Sequence, residues 1–180
     1  MWDEGPWWYA APISALTVND NCIDFYIKPS TIGKAASIDY YPKTSFIKFK
    51  NASMTVQDSV LKKLKIDRDW VLNKNTFYAY GELIDTADVD TLYRNIYNPS
   101  TFTGIVFKES LERYGTKVKT ISRKKTFNKS YKKISNHLSK PLLHSAINLM
   151  NESDNLTAEL FVKSIGALDT LPGTWEVGLD

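Results

Sequence analysis

Hydrophobic and polar residues alternate through the first half of the chain. Between residues 13 and 83, Phe25 and Ile27 alternate with polar side chains, and Ile47 and Phe49 alternate with lysines. Successive side chains of a strand point to opposite faces of a sheet, so this pattern predicts half-buried antiparallel strands. The turn-forming residues between them lie at positions 19–21, 29–33 and 73–75. We therefore predict about five to seven short strands.

After residue 98 the hydrophobic period changes to that of helices. Asn98 and Pro99 are typical of a helix start, and Gly115 fits the cap at its C-terminal end. One helix is therefore predicted near residues 99–114, followed by a short strand over residues 117–121.

The last third of the chain predicts two more helices. The first begins at Pro141, and the second closes at Gly166. Their apolar faces consist of Leu143, Ala146, Ile147 and Met150, and of Ala158, Phe161, Val162 and Ile165. Strands followed by helices indicate the α+β class.

Composition changes this picture little. The 180 residues are 43% hydrophobic and 24% charged, which suffices for a buried core in one domain or two small ones. With one cysteine, Cys22, no disulfide can form within the chain, and its strand-like surroundings predict a small buried hydrophobic residue. No stretch approaches the roughly 18 apolar residues of a membrane span. The N-terminus is acidic and aromatic, unlike a signal peptide.

Charge is distributed unevenly, although the net charge is only +3. Residues 117–140 contain eight lysines, one arginine (Arg123) and no acidic residue. Such a run could bind a polyanion such as a cell-wall polymer, an anionic membrane or a nucleic acid. We favour a solvated loop or an exposed edge strand, because no regular aromatic residues supply a base-stacking platform. Nucleic-acid binding is therefore the least favoured function.

Three other groups of residues could carry chemistry. Tryptophans at positions 2, 7 and 8 could stack on sugar rings or hold a cation, but a structural plug at one end of the sheet is favoured. His137 and His144 have no partner at ligand spacing, so neither a metal nor another cofactor is expected. Glu109 and Glu112 resemble a carboxylate pair, yet a solvated helix face explains them better.

The stretch from residue 151 to residue 160 is the most informative one. It places a Ser-x-Asn triplet, Ser153-Asp154-Asn155, between the two predicted helices. A Ser-Asp-Asn run before a helix is usually an N-cap and nothing more. The surrounding motifs raise it above chance.

Five motifs occur in the order seen in class C low-molecular-mass penicillin-binding proteins, the D-Ala-D-Ala carboxypeptidase/endopeptidase family, which the chain resembles over nearly its whole length. They are Trp2-Asp3-Glu4, Tyr9-Ala10-Ala11-Pro12-Ile13-Ser14-Ala15-Leu16, Asn19-Asp20-Asn21, Asn98-Pro99 before Phe107-Lys108-Glu109-Ser110-Leu111, and Asn151-Glu152-Ser153-Asp154-Asn155-Leu156. The resemblance implies an α+β fold in which an antiparallel β-rich insertion is followed by helices of a serine transpeptidase-like (β-lactamase-like) domain. Residues 1–12 would then come from the catalytic domain, residues 13–140 form the insertion, and residues 141–180 return to the catalytic domain.

The resemblance also implies roles for four residues. Ser153 would be the hydroxyl that relays a proton, and Asn155 the side chain that binds the substrate amide. Glu4 falls where relatives carry an acid that recognises the free amino group of the stem peptide, and Tyr9 where they carry an aromatic substrate contact. Glutamate replaces the commoner aspartate at position 4 and is longer by a methylene.

Two further elements of that chemistry do not occur in recognisable form. The family needs a nucleophilic serine with a lysine one helical turn later, and a Lys-Thr-Gly strand that binds the terminal carboxylate. Ser-x-x-Lys occurs four times, at Ser45/Lys48, Ser59/Lys62, Ser122/Lys125 and Ser130/Lys133. All four fall within the expected insertion, in strand-like or loop segments, and we interpret them as coincidences. Lys-Thr-Gly is absent, so the chain is expected to begin after the nucleophile and stop before that strand.

The leading hypothesis is thus an internal, catalytically inactive fragment of a serine-type D-alanyl-D-alanine carboxypeptidase/endopeptidase, which acts on peptidoglycan stem peptides through an acyl-enzyme. Expected partners are stem peptides and β-lactams in the parent protein, but not nucleic acid, and the location is extracytoplasmic. Apolar helix faces predict marginal stability or self-association of the fragment. The alternative is a free-standing β-rich module that binds the cell wall without catalysis.

Overall fold

A computed structural model describes residues 5–58, 60–122 and 130–180. These residues divide into two compact units at the bond between Lys117 and Val118, and we call the part before it unit 1 and the part after it unit 2. Strands and helices both occur, as expected for the α+β class.

Unit 1 contains the strands and one long helix. The strands are β1 (Cys22–Lys28), β2 (Ser37–Tyr41), β3 (Lys48–Val56), β4 (Lys65–Arg68), β5 (Thr76–Ile84) and β6 (Asp90–Asn95). The helix is α1 (Pro99–Arg113), and two short 3₁₀ turns, Trp8–Ala10 and Asn19–Asn21, precede β1. The six strands of the described residues fall within the predicted number.

The strands form two three-stranded sheets. One has the order β2-β1-β6 and is antiparallel throughout. The other has the order β3-β5-β4, in which β3 and β5 are parallel and only β4 and β5 are antiparallel. The expectation of antiparallel strands is therefore wrong for one pair. Alternation shows that one face of a strand is buried, but it carries no information on the direction of the neighbouring strand.

The core of unit 1 lies between these sheets. Phe25 of β1 is fully buried, and its ring centroid lies 5.3 Å from those of Phe49 on β3 and Phe77 on β5. Helix α1 joins this core through buried Phe102, whose ring lies 5.4 Å from that of Phe46. Cys22 is buried as predicted.

Helix α1 has the expected ends. The side chain of Asn98 accepts a hydrogen bond from the Thr101 amide, and Pro99 occupies the first turn, where no amide donor is needed. Gly115 follows the last turn with φ +85°, a conformation that glycine adopts without strain. The predicted strand over residues 117–121 does not form, since these residues have no regular structure.

Unit 2 is helical. Its helices are α2 (Leu142–Glu152), α3 (Asn155–Asp169) and α4 (Trp175–Leu179). Gly166 does not close α3 as predicted, because the helix continues to Asp169 and the backbone of α4 packs against this glycine. A Cβ atom at position 166 would lie 2.9 Å from the Thr174 carbonyl oxygen and 3.0 Å from the Gly178 nitrogen.

Candidate active site

The Ser-x-Asn triplet forms the tight junction between α2 and α3. Asp154 is the N-cap of α3, and its carboxylate accepts hydrogen bonds from the amides of Leu156 (3.0 Å) and Thr157 (3.3 Å) and from the Thr157 hydroxyl. Ser153 and Asn155 lie on either side of this cap, and both are exposed. Helix capping therefore accounts for Asp154 and leaves two polar side chains of the triplet at the surface of unit 2.

Ser153 has an unusual backbone conformation. Its φ of 53° and ψ of 45° are left-handed, which costs an L-residue about 1–2 kcal/mol. Six non-glycine residues have positive φ in the described ranges, and the other five are Asn or Asp. Those residue types tolerate the conformation through local hydrogen bonds, whereas serine does so less readily. Ser153 is also the C-cap of α2, where its amide donates to the Leu149 carbonyl and where a left-handed residue is common.

An open depression of about 350 Å³ lies beside this junction in unit 2. Its lining residues are Lys140, His144, Ser145, Asn148 and Thr157. Neither Ser153 nor Asn155 is part of its lining, so the triplet faces open surface instead of this depression.

The other two candidate residues belong to the N-terminal part of the chain. Glu4 lies outside the described residues. Tyr9 is part of the first 3₁₀ turn, is 40% exposed, and packs edge-on against Trp8 with ring centroids 6.0 Å apart. Tyr9 belongs to unit 1, whereas Ser153 belongs to unit 2.

The aromatic side chains near Tyr9 do not form the predicted plug. Trp7 and Trp8 are 38% and 44% exposed. The backbone of residues 5–12, which we call the aromatic segment, is held by polar contacts to β6, so the rings themselves do not need to be buried. Trp2 lies outside the described residues.

Buried Arg94 of β6 supports the aromatic segment from below. Its guanidinium carbon lies 4.6 Å from the centroid of the Trp7 ring, and its Nε donates a hydrogen bond of 2.5 Å to the Ile66 carbonyl. Burial lowers the pKa of Arg94, although nearby Asp67 opposes this effect. Sequence reasoning missed Arg94 because an arginine on an alternating strand is ordinarily exposed.

The Ser-x-x-Lys pairs within the described residues do not have the geometry of a nucleophile. Ser45 and Ser130 lie in turns, and neither Lys48 nor Lys133 follows on a helix. The serine of the pair at positions 59 and 62 and the lysine of the pair at 122 and 125 lie outside the described residues. The two pairs that lie wholly within the described residues therefore agree with the interpretation as coincidences.

Glu109 of α1 is bound to another part of unit 1, so the interpretation as a solvated helix face is wrong for this residue. Its Oε1 accepts hydrogen bonds from the Ser45 amide (2.8 Å) and hydroxyl (2.6 Å). Burial alone would raise the pKa of Glu109, but these hydrogen bonds hold it below its ordinary value of 4.5. Glu112 behaves as predicted, in a surface ion pair with Lys108 at 3.6 Å. Glu109 thus anchors α1 to the turn before β3.

The remaining candidate features lie at the surface. Residues 130–140 of the basic run are exposed and irregular, as expected for a solvated loop, and residues 123–129 lie outside the described residues. In the described part of the chain, no cluster of three or more His, Cys, Asp and Glu side chains offers a metal site. No helix in that part is long and apolar enough to cross a membrane.

Comparison with known proteins relates the chain to penicillin-binding enzymes. It is 29% identical over 186 aligned residues to a D-alanyl-D-alanine carboxypeptidase from Actinomadura sp. strain R39. The alignment covers 98% of this chain and 34% of that protein. The fold is similar to that of penicillin binding protein 4 (dacB) from Haemophilus influenzae, with a TM-score of 0.66 at 17% identity over 99% of this chain and 40% of that one. A complex of that protein with a novel β-lactam gives a TM-score of 0.62 at 16% identity, over 94% of this chain and 39% of that one.

The chain thus spans about a third of the length of the curated relative. The sequence pattern of the family described as D-Ala-D-Ala carboxypeptidase 3 (S13) matches all residues from 1 to 180. The chain belongs to the D-Ala-D-Ala carboxypeptidase 3 (S13) family.

Proposed function

We propose that this chain supplies part of the active site of a serine-type D-alanyl-D-alanine carboxypeptidase, with Ser153 and Asn155 as its contribution to the chemistry. The observation that carries the proposal is the division of labour within the triplet. Asp154 caps α3, while Ser153 ends α2 in a left-handed conformation and keeps its side chain exposed at the junction of the two helices. Family membership over residues 1–180 supports the same assignment.

In the proposed mechanism Ser153 acts on a proton and Asn155 acts on the substrate. A serine nucleophile outside the assigned motifs of this chain attacks the carbonyl between the two D-alanines, and an acyl-enzyme forms as the terminal D-alanine leaves. The Ser153 hydroxyl accepts a proton with its oxygen while donating its own, so it can relay the proton toward the leaving amine. The Asn155 carboxamide can both donate to and accept from the backbone of the bound peptide.

The proposed substrate is the stem peptide of peptidoglycan, cleaved as a carboxypeptidase or an endopeptidase. The Actinomadura relative is a D-alanyl-D-alanine carboxypeptidase, and the Haemophilus relative has been seen with a β-lactam. A substrate in the cell wall places the proposed reaction outside the cytoplasmic membrane. Exposed Tyr9, and Glu4 by resemblance, are proposed to contact the part of the stem peptide that carries a free amino group.

The proposal is tested by acylation with a labelled penicillin, measured by intact mass. We expect no covalent adduct on the 180-residue chain, because none of its four Ser-x-x-Lys pairs is assigned as the nucleophile. A stoichiometric adduct would show that one of these pairs is the true nucleophile. A longer polypeptide, which also contains the residues encoded by the flanking coding sequence, should form one covalent penicillin adduct per molecule.

Substitutions in that longer polypeptide then test the triplet. Ser153→Ala should slow acylation by roughly 10²–10⁴-fold, the usual contribution of a proton-transfer group. Asn155→Ala should slow it by roughly 10²–10³-fold, as for the loss of a well-placed hydrogen-bond donor. Glu152→Gln is the matched control, because Glu152 is an exposed neighbour at the end of α2 without an assigned role. Equal rates for all three variants would refute the assignment.

Ser153→Gly separates a site residue from a structural one. Glycine relieves the left-handed strain of about 1–2 kcal/mol but gains more freedom in the unfolded chain, at about 0.4–1 kcal/mol. We therefore expect unit 2 to be as stable as before or up to about 1.6 kcal/mol more stable, while acylation is lost. Loss of stability together with activity would mean that Ser153 only serves the fold.

A further inference from the structure

Asn95, at the end of β6, holds the aromatic segment through several hydrogen bonds. Its side-chain Nδ2 donates hydrogen bonds to three backbone carbonyls, those of Gly5 (3.2 Å), Trp7 (2.9 Å) and Ala10 (3.0 Å). Its own backbone amide donates to the Pro6 carbonyl at 2.9 Å. One buried residue thus binds four backbone carbonyls of a segment whose regular structure is a single 3₁₀ turn and one bridge.

The orientation of this amide is fixed from its other side. The Oδ1 atom of Asn95 accepts a hydrogen bond of 3.1 Å from the guanidinium of Arg68. Arginine can only donate, so the oxygen must face Arg68 and the nitrogen must face the three carbonyls. With two hydrogens for three acceptors, one hydrogen is shared. Arg68 is itself buried, and desolvation lowers its pKa to about 10.

Neighbouring Arg94 completes the support. Trp7 forms an isolated antiparallel bridge with Arg94, and the guanidinium lies under the Trp7 ring. Strand β6 is an edge of its sheet, so the aromatic segment occupies an edge that would otherwise be open. Two adjacent residues of one strand thus fix both the backbone and one ring of the segment.

We propose that Asn95 is a positioning residue for substrate recognition, which acts by fixing the backbone from which Tyr9 contacts the stem peptide. This inference rests on the proposed function, which assigns the substrate contact to Tyr9. The backbone is held by these hydrogen bonds while the side chains of Trp7, Trp8 and Tyr9 stay partly exposed. A fixed backbone beneath exposed aromatic rings lowers the conformational entropy lost when a ligand binds.

The segment depends on Asn95 because its internal bonds are few. Within the segment, the Ala10 amide donates to the Trp7 carbonyl at 3.1 Å and the Ala11 amide to the Trp8 carbonyl at 3.0 Å. The core of unit 1, in contrast, is closed by residues of the sheets and α1. Loss of the Asn95 donors should therefore release the segment before it unfolds the unit.

The test is Asn95→Asp, which keeps the shape and the contact to Arg68 but removes both side-chain hydrogens. The substitution is made in the longer polypeptide, in which these 180 residues are expressed together with the residues that the flanking coding sequence encodes. For a stem peptide with a free amino group, KM should rise about tenfold while kcat changes by less than about threefold, since binding and not the chemical step is affected. Acylation by a penicillin without that amino group should slow by less than about threefold. Hydrogen exchange at the Ala10 and Ala11 amides should become about tenfold faster.

Asn51→Asp is the matched control. The Asn51 side chain also donates to a backbone carbonyl, that of Ala36 at 2.8 Å, and accepts from Ser53, but it does not contact the aromatic segment. It should leave KM for the peptide and exchange at Ala10 unchanged. If the Asn95→Asp variant does not fold, Trp7→Leu is the second test of how the segment is held. It should raise KM for the stem peptide about threefold, because the contact between Trp7 and Arg94 is lost.

The outcomes distinguish the two proposals. Unchanged exchange at Ala10 and Ala11, or a fall in kcat at constant KM, would overturn the role of Asn95. An equal loss of peptide cleavage and penicillin acylation would overturn it as well, because the effect would then be on the whole fold. A wild-type polypeptide that neither cleaves the peptide nor binds penicillin would refute the proposed function, and exchange alone would then decide whether Asn95 holds the segment.

Discussion

The two units of this chain bury their apolar side chains to very different extents. In unit 1, Phe25, Phe77 and Phe102 are fully buried, and the two sheets and α1 close around them. In unit 2, Leu143, Met150 and Leu168 are 67%, 80% and 89% exposed, although they lie on helices. The difference indicates that unit 1 is stabilised by its own core, while unit 2 presents apolar surface that a folded protein normally covers.

The candidate catalytic residues lie on unit 2, the unit with the more exposed apolar side chains. Ser153 and Asn155 belong to the junction of α2 and α3, and the apolar face of α2 is mostly exposed, whereas the aromatic segment is tied to unit 1 through Asn95. Stability and proposed chemistry are thus assigned to different units. Self-association through the open helix faces stays a prediction.

The largest effect should come from opening the core of unit 1. Phe25→Ala removes a fully buried ring that contacts Phe49 and Phe77, and large-to-small changes of this kind cost about 3–5 kcal/mol. Leu168→Ala in unit 2 should cost less than about 0.5 kcal/mol, because its side chain is already exposed. Urea unfolding monitored by hydrogen exchange reports each unit separately. A comparable cost at Leu168 would contradict the comparison.

A smaller effect should follow from crowding a tight contact between α3 and α4 in unit 2. A Cβ atom at Gly178 would lie 2.0 Å from the Val162 carbonyl oxygen, so Gly178→Ala must push α4 away from α3. Overpacking of this kind costs about 1–3 kcal/mol. Amide exchange in α3 and α4 should become faster, while exchange in β1 should not change.

Gly33→Asn is the control for that substitution. A side chain at Gly33 meets nothing within 4 Å, and asparagine tolerates its φ of +80°. If both substitutions have the same effect on α3, the contact between α3 and α4 is not the cause.

The smallest effect concerns pH and unit 1. The pKa of Glu109 is lower in the folded state than its ordinary value of 4.5, so its stabilisation is complete above pH 4.5. As the pH falls below 4.5, the unfolded carboxyl binds its proton first, and the stabilisation is lost as the pH passes through the folded pKa. Glu109→Gln should remove about 1 kcal/mol above pH 4.5 and flatten this acid dependence, measured by urea unfolding between pH 6 and pH 3. The unchanged slope of a Glu112→Gln variant is the control.

Local signals were sufficient for much of the fold. The alternation around Phe25 predicted β1, and Asn98, Pro99 and Gly115 predicted both ends of α1, because caps and strand faces depend on residues close together in sequence. The predicted α+β class and the family resemblance are confirmed. Glu109 was misjudged because its partner, Ser45, is distant in sequence.

Features that depend on contacts between residues distant in sequence could not be predicted from the sequence. The parallel pairing of β3 with β5 cannot be read from either strand alone, and the end of α3 depends on the approach of α4 to Gly166. Asn95 looked like an ordinary polar residue near a strand end, since nothing in its neighbourhood shows that three carbonyls from residues 5–10 converge on it. The roles of Ser153, Asn155, Glu4 and Tyr9 and the domain boundaries at residues 12 and 140 stay predictions.

The order of the strands in the mixed sheet has a consequence for synthesis on the ribosome. Strand β5 lies between β3 and β4 although it is translated after both. A nascent chain that has not yet reached Thr76 therefore carries β3 without its neighbour, and the free edge can pair with other polypeptides. Until β5 emerges, β3 and β4 both lack the strand that lies between them, and unpaired strand edges of this kind favour aggregation.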